Sequence, residues 1–132
     1  MSAHRLTCRD VMNQRYEIVD GLMTVADALK LMKQKEHRKV IIKKRDDHDE
    51  YGMVQLSDIS QQVIAKNRAP ERVNLYEIMI KPFICVRPEM DIKYCARLFE
   101  RYGLISAPVV EHDEVIGVVS HNDIVLNWPD SE

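Results

Sequence analysis

Apolar and polar positions along the chain change rhythm in a fixed order, and that order is run through twice. The runs YEIV (16–19) and FICV (83–86) have the length and composition of short strands. Behind each, apolar residues recur at i, i+3, i+4 and i+7: Val25, Ala28, Leu29 and Met32, then Ile92, Cys95, Ala96 and Phe99. Such a stripe is the buried face of a helix and predicts helices over 24–36 and 91–102. Thr24 with Asp27 reads as a capping box at the first start, and Asp91 is placed to cap the second. Two β-rich runs follow in each copy, KVIIK (39–43) with YGMVQL (51–56) and APVVE (107–111) with VIGVVS (115–120). The charged tips between them, KKRDDHDEY (43–51) and EHDEV (111–115), suit antiparallel hairpins, the first tip being flexible and acidic. Closing helices are expected over 57–66 and 121–127.

The duplication shows in the letters as well. GMVQLSDI (52–59) and GVVSHNDI (117–124) share Gly, Val, Asp and Ile at a spacing of 65. Upstream the spacing is 67, matching Val11-Met12 to Ile78-Met79, Val19 to Val86 and Met23 to Met90. The longer first hairpin tip accounts for the difference. Repeats are expected over 8–66 and 76–127, joined by a polar linker at 67–75 that Pro70 punctuates. One hairpin with two helices buries too little surface to stand alone, so the expected fold is α/β (α+β), two β-α-β-β-α halves packed as one pseudo-two-fold module.

Composition narrows the function classes. The chain has 132 residues, 45% hydrophobic and 30% charged, with a formal net charge of −2. That charge offers no general attraction to nucleic acid or anionic lipid, and no aromatic platform for bases stands out. No leader or membrane-spanning run is expected from the apolar pattern. Cys8, Cys85 and Cys95 form no C-x-x-C pair, which fits a reduced, cytoplasmic protein.

The densest chemistry is Ser120-His121-Asn122-Asp123. Hydrolytic catalysis is disfavoured: a nucleophile, base and acid must converge from separate parts of a fold, and no G-x-S-x-G elbow surrounds Ser120. The plain reading is a capping box, Ser120 at N-cap and Asp123 three residues on, worth about 1 kcal/mol. The same corner places a hydroxyl, a carboxylate and a helix N-terminus together, groups that suit a phosphorylated sugar. His121 reads equally as an anion donor or as an exposed first-turn residue. In the first copy Gln55 precedes Asp58 where the second has Ser120, and Ser57 is a simple cap. The basic run His37-Arg38-Lys39 reads first as a solvated loop and second as charges that reach ligand phosphates, and the five histidines have no metal-ligand spacing. Gly103 is a good helix terminator, and Pro108 constrains the strand that follows.

The β-α-β-β-α order, the Val-Met or Ile-Met openings and the G-h-V-x-x-x-D-I closings together resemble a stand-alone tandem pair of CBS (cystathionine β-synthase) domains, over about residues 8–127. The resemblance implies a non-enzymatic regulatory module with clefts between its repeats, pairing into a homodimer. It implies binding of an adenosine-containing ligand such as AMP, ADP, ATP or S-adenosylmethionine, with no obligate cofactor and no metal, and signalling in trans to an unidentified regulated protein. Site residues carried over by the resemblance are Ser120 and Asp123, the Gly103–Pro108 segment with Leu104, Ile105 and Ala107 against the base, and Cys85-Val86 opposite. His121 and Asp58 complete the set, the first copy being the degenerate one. The alternative is a ligand-free protein-protein interaction scaffold.

Overall fold

In the computed structural model, which describes residues 5–81 and 83–129, helix α1 (Cys8–Val11) precedes strand β1 (Glu17–Val19) and helix α2 (Val25–Lys35). Strands β2 (Lys39–Ile42) and β3 (Gly52–Gln55) lead into helix α3 (Leu56–Ile59), whose continuation Ser60–Ile64 widens into a π turn. Short 3₁₀ turns at Pro70–Arg72 and Leu75–Glu77 follow, then helix α4 (Ile92–Tyr102), strands β4 (Ser106–Glu111) and β5 (Glu114–Ser120), and helix α5 (His121–Leu126). The folded units do not follow the letters of the repeats. One unit is Arg15–Phe83; the other joins the residues up to Gln14 to those from Ile84 onward.

In the unit Arg15–Phe83, β1 runs parallel to β2, with Glu17 opposite Val40, and β3 is antiparallel to β2, with Val54 opposite Val40. Helix α2 is the crossover between the parallel strands. Its stripe Val25, Ala28 and Met32 is buried with Val40, Ile42, Val54, Ile59 and Val63. Val73 and Leu75, from the segment read as a polar linker, are buried in the same core. The segment is held there by Val25 N–H donating to Val73 O and Leu75 N–H to Met23 O. The first hairpin tip is pinned: Arg45 donates its backbone N–H to the Asp49 carboxylate, and Lys81 forms an ion pair with it. An acidic tip was expected to be loose; two cations on one nearly buried carboxylate hold it.

The other unit is built on the β4–β5 hairpin, with Ser106 opposite Ser120 and Ala107 opposite Val119. His112 and Asp113 turn its tip, both in the left-handed region at φ 52° and 66°, as a two-residue turn matched to strand twist requires. The strand expected at 83–86 shrinks to one bridging residue, Val86, which donates to Pro108 O and accepts from Val110 N–H, both at 2.9 Å. Two prolines explain this. Extending the parallel ladder needs the N–H of residue 108 on one side and of residue 88 on the other, and both are proline. The core here gathers Cys8, Val11, Val86, Ile92, Cys95, Phe99, Ala107, Val109, Val119 and Ile124.

The two sequence signatures of each copy turn out to meet crosswise. Met12, from the opening of the first copy, lies on Gly117, from the closing of the second; Met79 lies likewise on Gly52. A Cβ at Gly117 would stand 2.5 Å from Met12 Sδ, and one at Gly52 would stand 2.8 Å from Met79 Sδ. At Gly117 an added side chain would collide with Met12 back to its Cβ, whereas at Gly52 it would meet the flexible thioether end of Met79.

Candidate functional site

The candidate site is the corner where β5 ends and α5 begins. Gly117, Val118 and Val119 are buried, so β5 reaches this point from inside the unit, and its last residue, Ser120, is half-buried. Ser120 is extended at φ −119°, ψ 170° and caps α5. Its Oγ accepts from Asp123 N–H at 3.3 Å, and its own backbone N–H and hydroxyl both donate to Asp123 Oδ2 at 2.8 Å. The capping box is therefore real, and the Ser120 hydroxyl proton is spent on the aspartate.

A further residue enters that the sequence did not single out. Asn13 Nδ2 donates to Asp123 Oδ2 at 2.8 Å. Asn13 sits one residue past the Val-Met opening, in the segment that pairs with β5. The spacing of 110 positions hid it. Only the crosswise meeting of opening and closing segments brings it here.

The neighbouring positions divide by exposure. Gly103 ends α4 in the left-handed conformation, φ 65°, and its N–H donates to Phe99 O. Gly103 and Ile105 are exposed and Leu104 half-buried, so their surfaces are open to a ligand. Ala107, Pro108 and Val86 are buried. Cys85 is half-buried beside Val86. Ile105 is tied to the corner through its carbonyl, which accepts from His121 N–H at 3.1 Å. The His121 side chain is exposed, with its ring edge-on to Phe99 at 5.2 Å. Of the first three amides of α5, those of His121 and Asp123 are thus engaged within the protein.

Asp58 belongs to the other unit, at the matching corner. There Gln55 is the N-cap and Ser57 lies inside the helix, so Ser57 is not the cap expected. Gln55 N–H donates to Asp58 Oδ2 at 2.8 Å. Burial pushes the Asp58 carboxyl above the ordinary aspartate value, against the pull of that one amide. At the Ser120 corner three donors meet on one oxygen, Asp123 Oδ2. Among the described residues no group of His, Cys, Asp and Glu is arranged to hold a metal ion, and no helix is long and apolar enough to cross a membrane.

Comparison with known proteins agrees with this architecture. The family model described as CBS domain matches residues 8–64 and 75–128. The hexameric CBS-CP12 protein from bloom-forming cyanobacteria is 39% identical, with a TM-score of 0.87 over 91% of this chain and 69% of that one. The CBS domain pair of protein MJ0100, in complex with 5′-methylthioadenosine and S-adenosyl-L-methionine, is 20% identical, with a TM-score of 0.78 over 92% of this chain and 94% of that one. The uncharacterized protein MJ0450 of Methanocaldococcus jannaschii is 21% identical over 86% of this chain, which spans 61% of that relative's length.

Proposed function

The chain belongs to the CBS domain family, whose paired domains are regulatory rather than catalytic, and from that premise we propose that it senses an adenosine-containing ligand at the Ser120–Asp123 corner. Occupancy would then be signalled in trans to a partner protein in the cytoplasm. The observation that carries the reading is the asymmetry of the Asp123 carboxylate. Oδ2 holds three donors, whereas no described donor bonds Oδ1. A carboxylate oxygen held in place and free of protein donors is an acceptor for ribose hydroxyls. Phosphate has less to meet here, because two of the first three α5 amides and the Ser120 hydroxyl are engaged. The corner thus favours the nucleoside end of such a ligand. MJ0100 at 20% identity speaks for the fold alone, so the ligand class rests on these residues.

Exposed Val125, Leu126 and Trp128 at the end of α5 support self-association, and light scattering on the purified chain should return a dimer or a larger assembly. The scaffold alternative draws on the first corner, where Gln55 replaces the hydroxyl residue. Calorimetry and thermal shift with AMP, ADP, ATP, NADH and S-adenosylmethionine separate the two. A ligand at about 100 times its Kd should add about 2.7 kcal/mol of apparent stability. Asp123→Asn keeps an acceptor for the cap but turns the other oxygen into a donor, and should weaken binding; Asp58→Asn should matter less. No response to any of the five ligands would leave the scaffold reading standing.

A further inference from the structure

We infer that Asn13 is the positioning residue of this corner: by holding Asp123 Oδ2 it aims Oδ1, and so sets a preference for a ribose over a 2′-deoxyribose ligand. The inference rests on the ligand reading above and adds the residue that makes it selective.

The side chain of Asn13 is delivered from a fixed backbone. Asn13 N–H donates to Val118 O at 2.9 Å, and Val118 N–H donates to Asn13 O at 3.0 Å. Gly117 admits Met12 next to it, which seats this segment against β5. The orientation of the Asn13 amide is forced by chemistry: an ionised carboxylate has no proton to give, so the NH₂ group must face Asp123 Oδ2, 2.8 Å away. With Ser120 N–H and Oγ on the same oxygen, the carboxylate cannot rotate without breaking three bonds. Without Asn13, both remaining donors come from Ser120 alone, on one side, and the carboxylate gains freedom to swing.

The other unit supplies an internal control. Ile80, 67 positions after Asn13, makes the same double backbone pairing, with Met53: Ile80 N–H to Met53 O at 3.0 Å and Met53 N–H to Ile80 O at 3.1 Å. The backbone is equivalent and the side chain is apolar. At that corner the one described hydrogen bond to the aspartate comes from the Gln55 amide. The asparagine is therefore an addition to the corner that binds, and the shared fold does not require it.

The test is calorimetric titration of the full chain with AMP and 2′-deoxy-AMP, and with ATP and 2′-deoxy-ATP. Wild type should prefer the ribonucleotide by about tenfold, the worth of a charge-assisted hydrogen bond. Asn13→Ala, and Asn13→Ile as the mimic of Ile80, should lose that preference, to about twofold or less. Melting temperatures of each variant, taken beside the titrations, confirm that folded protein is being measured. A merely structural asparagine would weaken ribo and deoxyribo ligands by the same factor, leave the ratio intact, and overturn the inference while sparing the ligand reading. Absence of binding of all four nucleotides to wild type would overturn the inference, and silence of NADH and S-adenosylmethionine as well would overturn the ligand reading with it.

Discussion

Glu36 ends helix α2 in the left-handed conformation, φ 57° and ψ 35°, that Gly103 adopts at the end of α4, φ 65° and ψ 35°. The two caps are the same piece of backbone geometry built once with glycine and once with a side chain. A Cβ at Gly103 would meet nothing within 4 Å, so only backbone strain distinguishes the residues. Glu36→Gly should therefore stabilise the protein by about 0.5–1 kcal/mol, net of the entropy glycine adds to the unfolded chain. Gly103→Ala should cost about 1 kcal/mol. Urea denaturation of both variants checks the pair, and opposite signs are required.

Gly117→Ala carries a different cost. Its Cβ would lie 2.5 Å from Met12 Sδ and 3.0 Å from Met12 Cβ, so the methionine must leave its place. Overpacking of this kind costs about 1–3 kcal/mol. Adding Met12→Ala to Gly117→Ala should recover part of the loss, because the clash is with that one side chain. A double-mutant cycle by denaturation measures the coupling, and simple additivity would place the clash elsewhere.

Two aspartates should respond to pH in opposite senses. Lys81 first, then the Arg45 amide, hold the Asp49 carboxyl well below the ordinary value of 3.8. A depressed acid stabilises the fold at every pH above its unfolded value and loses that contribution as pH falls below about 4. Asp49→Asn should thus lower the melting temperature at pH 7, and the gap to wild type should narrow on acidification. Asp58 is raised, chiefly by burial, so its ionised form costs stability above its folded value. Asp58→Asn should raise the melting temperature at pH 7 and lose its advantage near pH 3. Melting curves from pH 7 to 3 on both variants decide the signs.

Most of the elements were legible in the chain because their causes are local. The i, i+3, i+4, i+7 stripes became α2 and α4, and Thr24 and Asp91 cap them, accepting from Asp27 N–H and Lys93 N–H, Thr24 by a simple cap and not the reciprocal box expected with Asp27. The hairpins formed where alternating runs flank charged tips. The strand over 83–86 failed for a reason also written in the chain, since Pro88 and Pro108 each remove a donor. It was missed because the parallel partner had to be known before the missing N–H groups counted.

The sequence by itself determined that the chain is a doubled unit, that it belongs with CBS domain pairs, and that Ser120 and Asp123 form a cap. Periodicity, capping and repetition act over a few residues, so they survive without knowledge of what lies opposite. Tertiary structure decided which opening segment serves which closing one. Met12 fills the space over Gly117 and Met79 the space over Gly52, an exchange that spacing alone leaves open. That exchange carries Asn13 across 110 positions to Asp123 and puts Ile80 in the equivalent place of the other unit. Long-range pairing depends on shape and on backbone donors meeting in space, and the difference between the two corners exists only after that meeting.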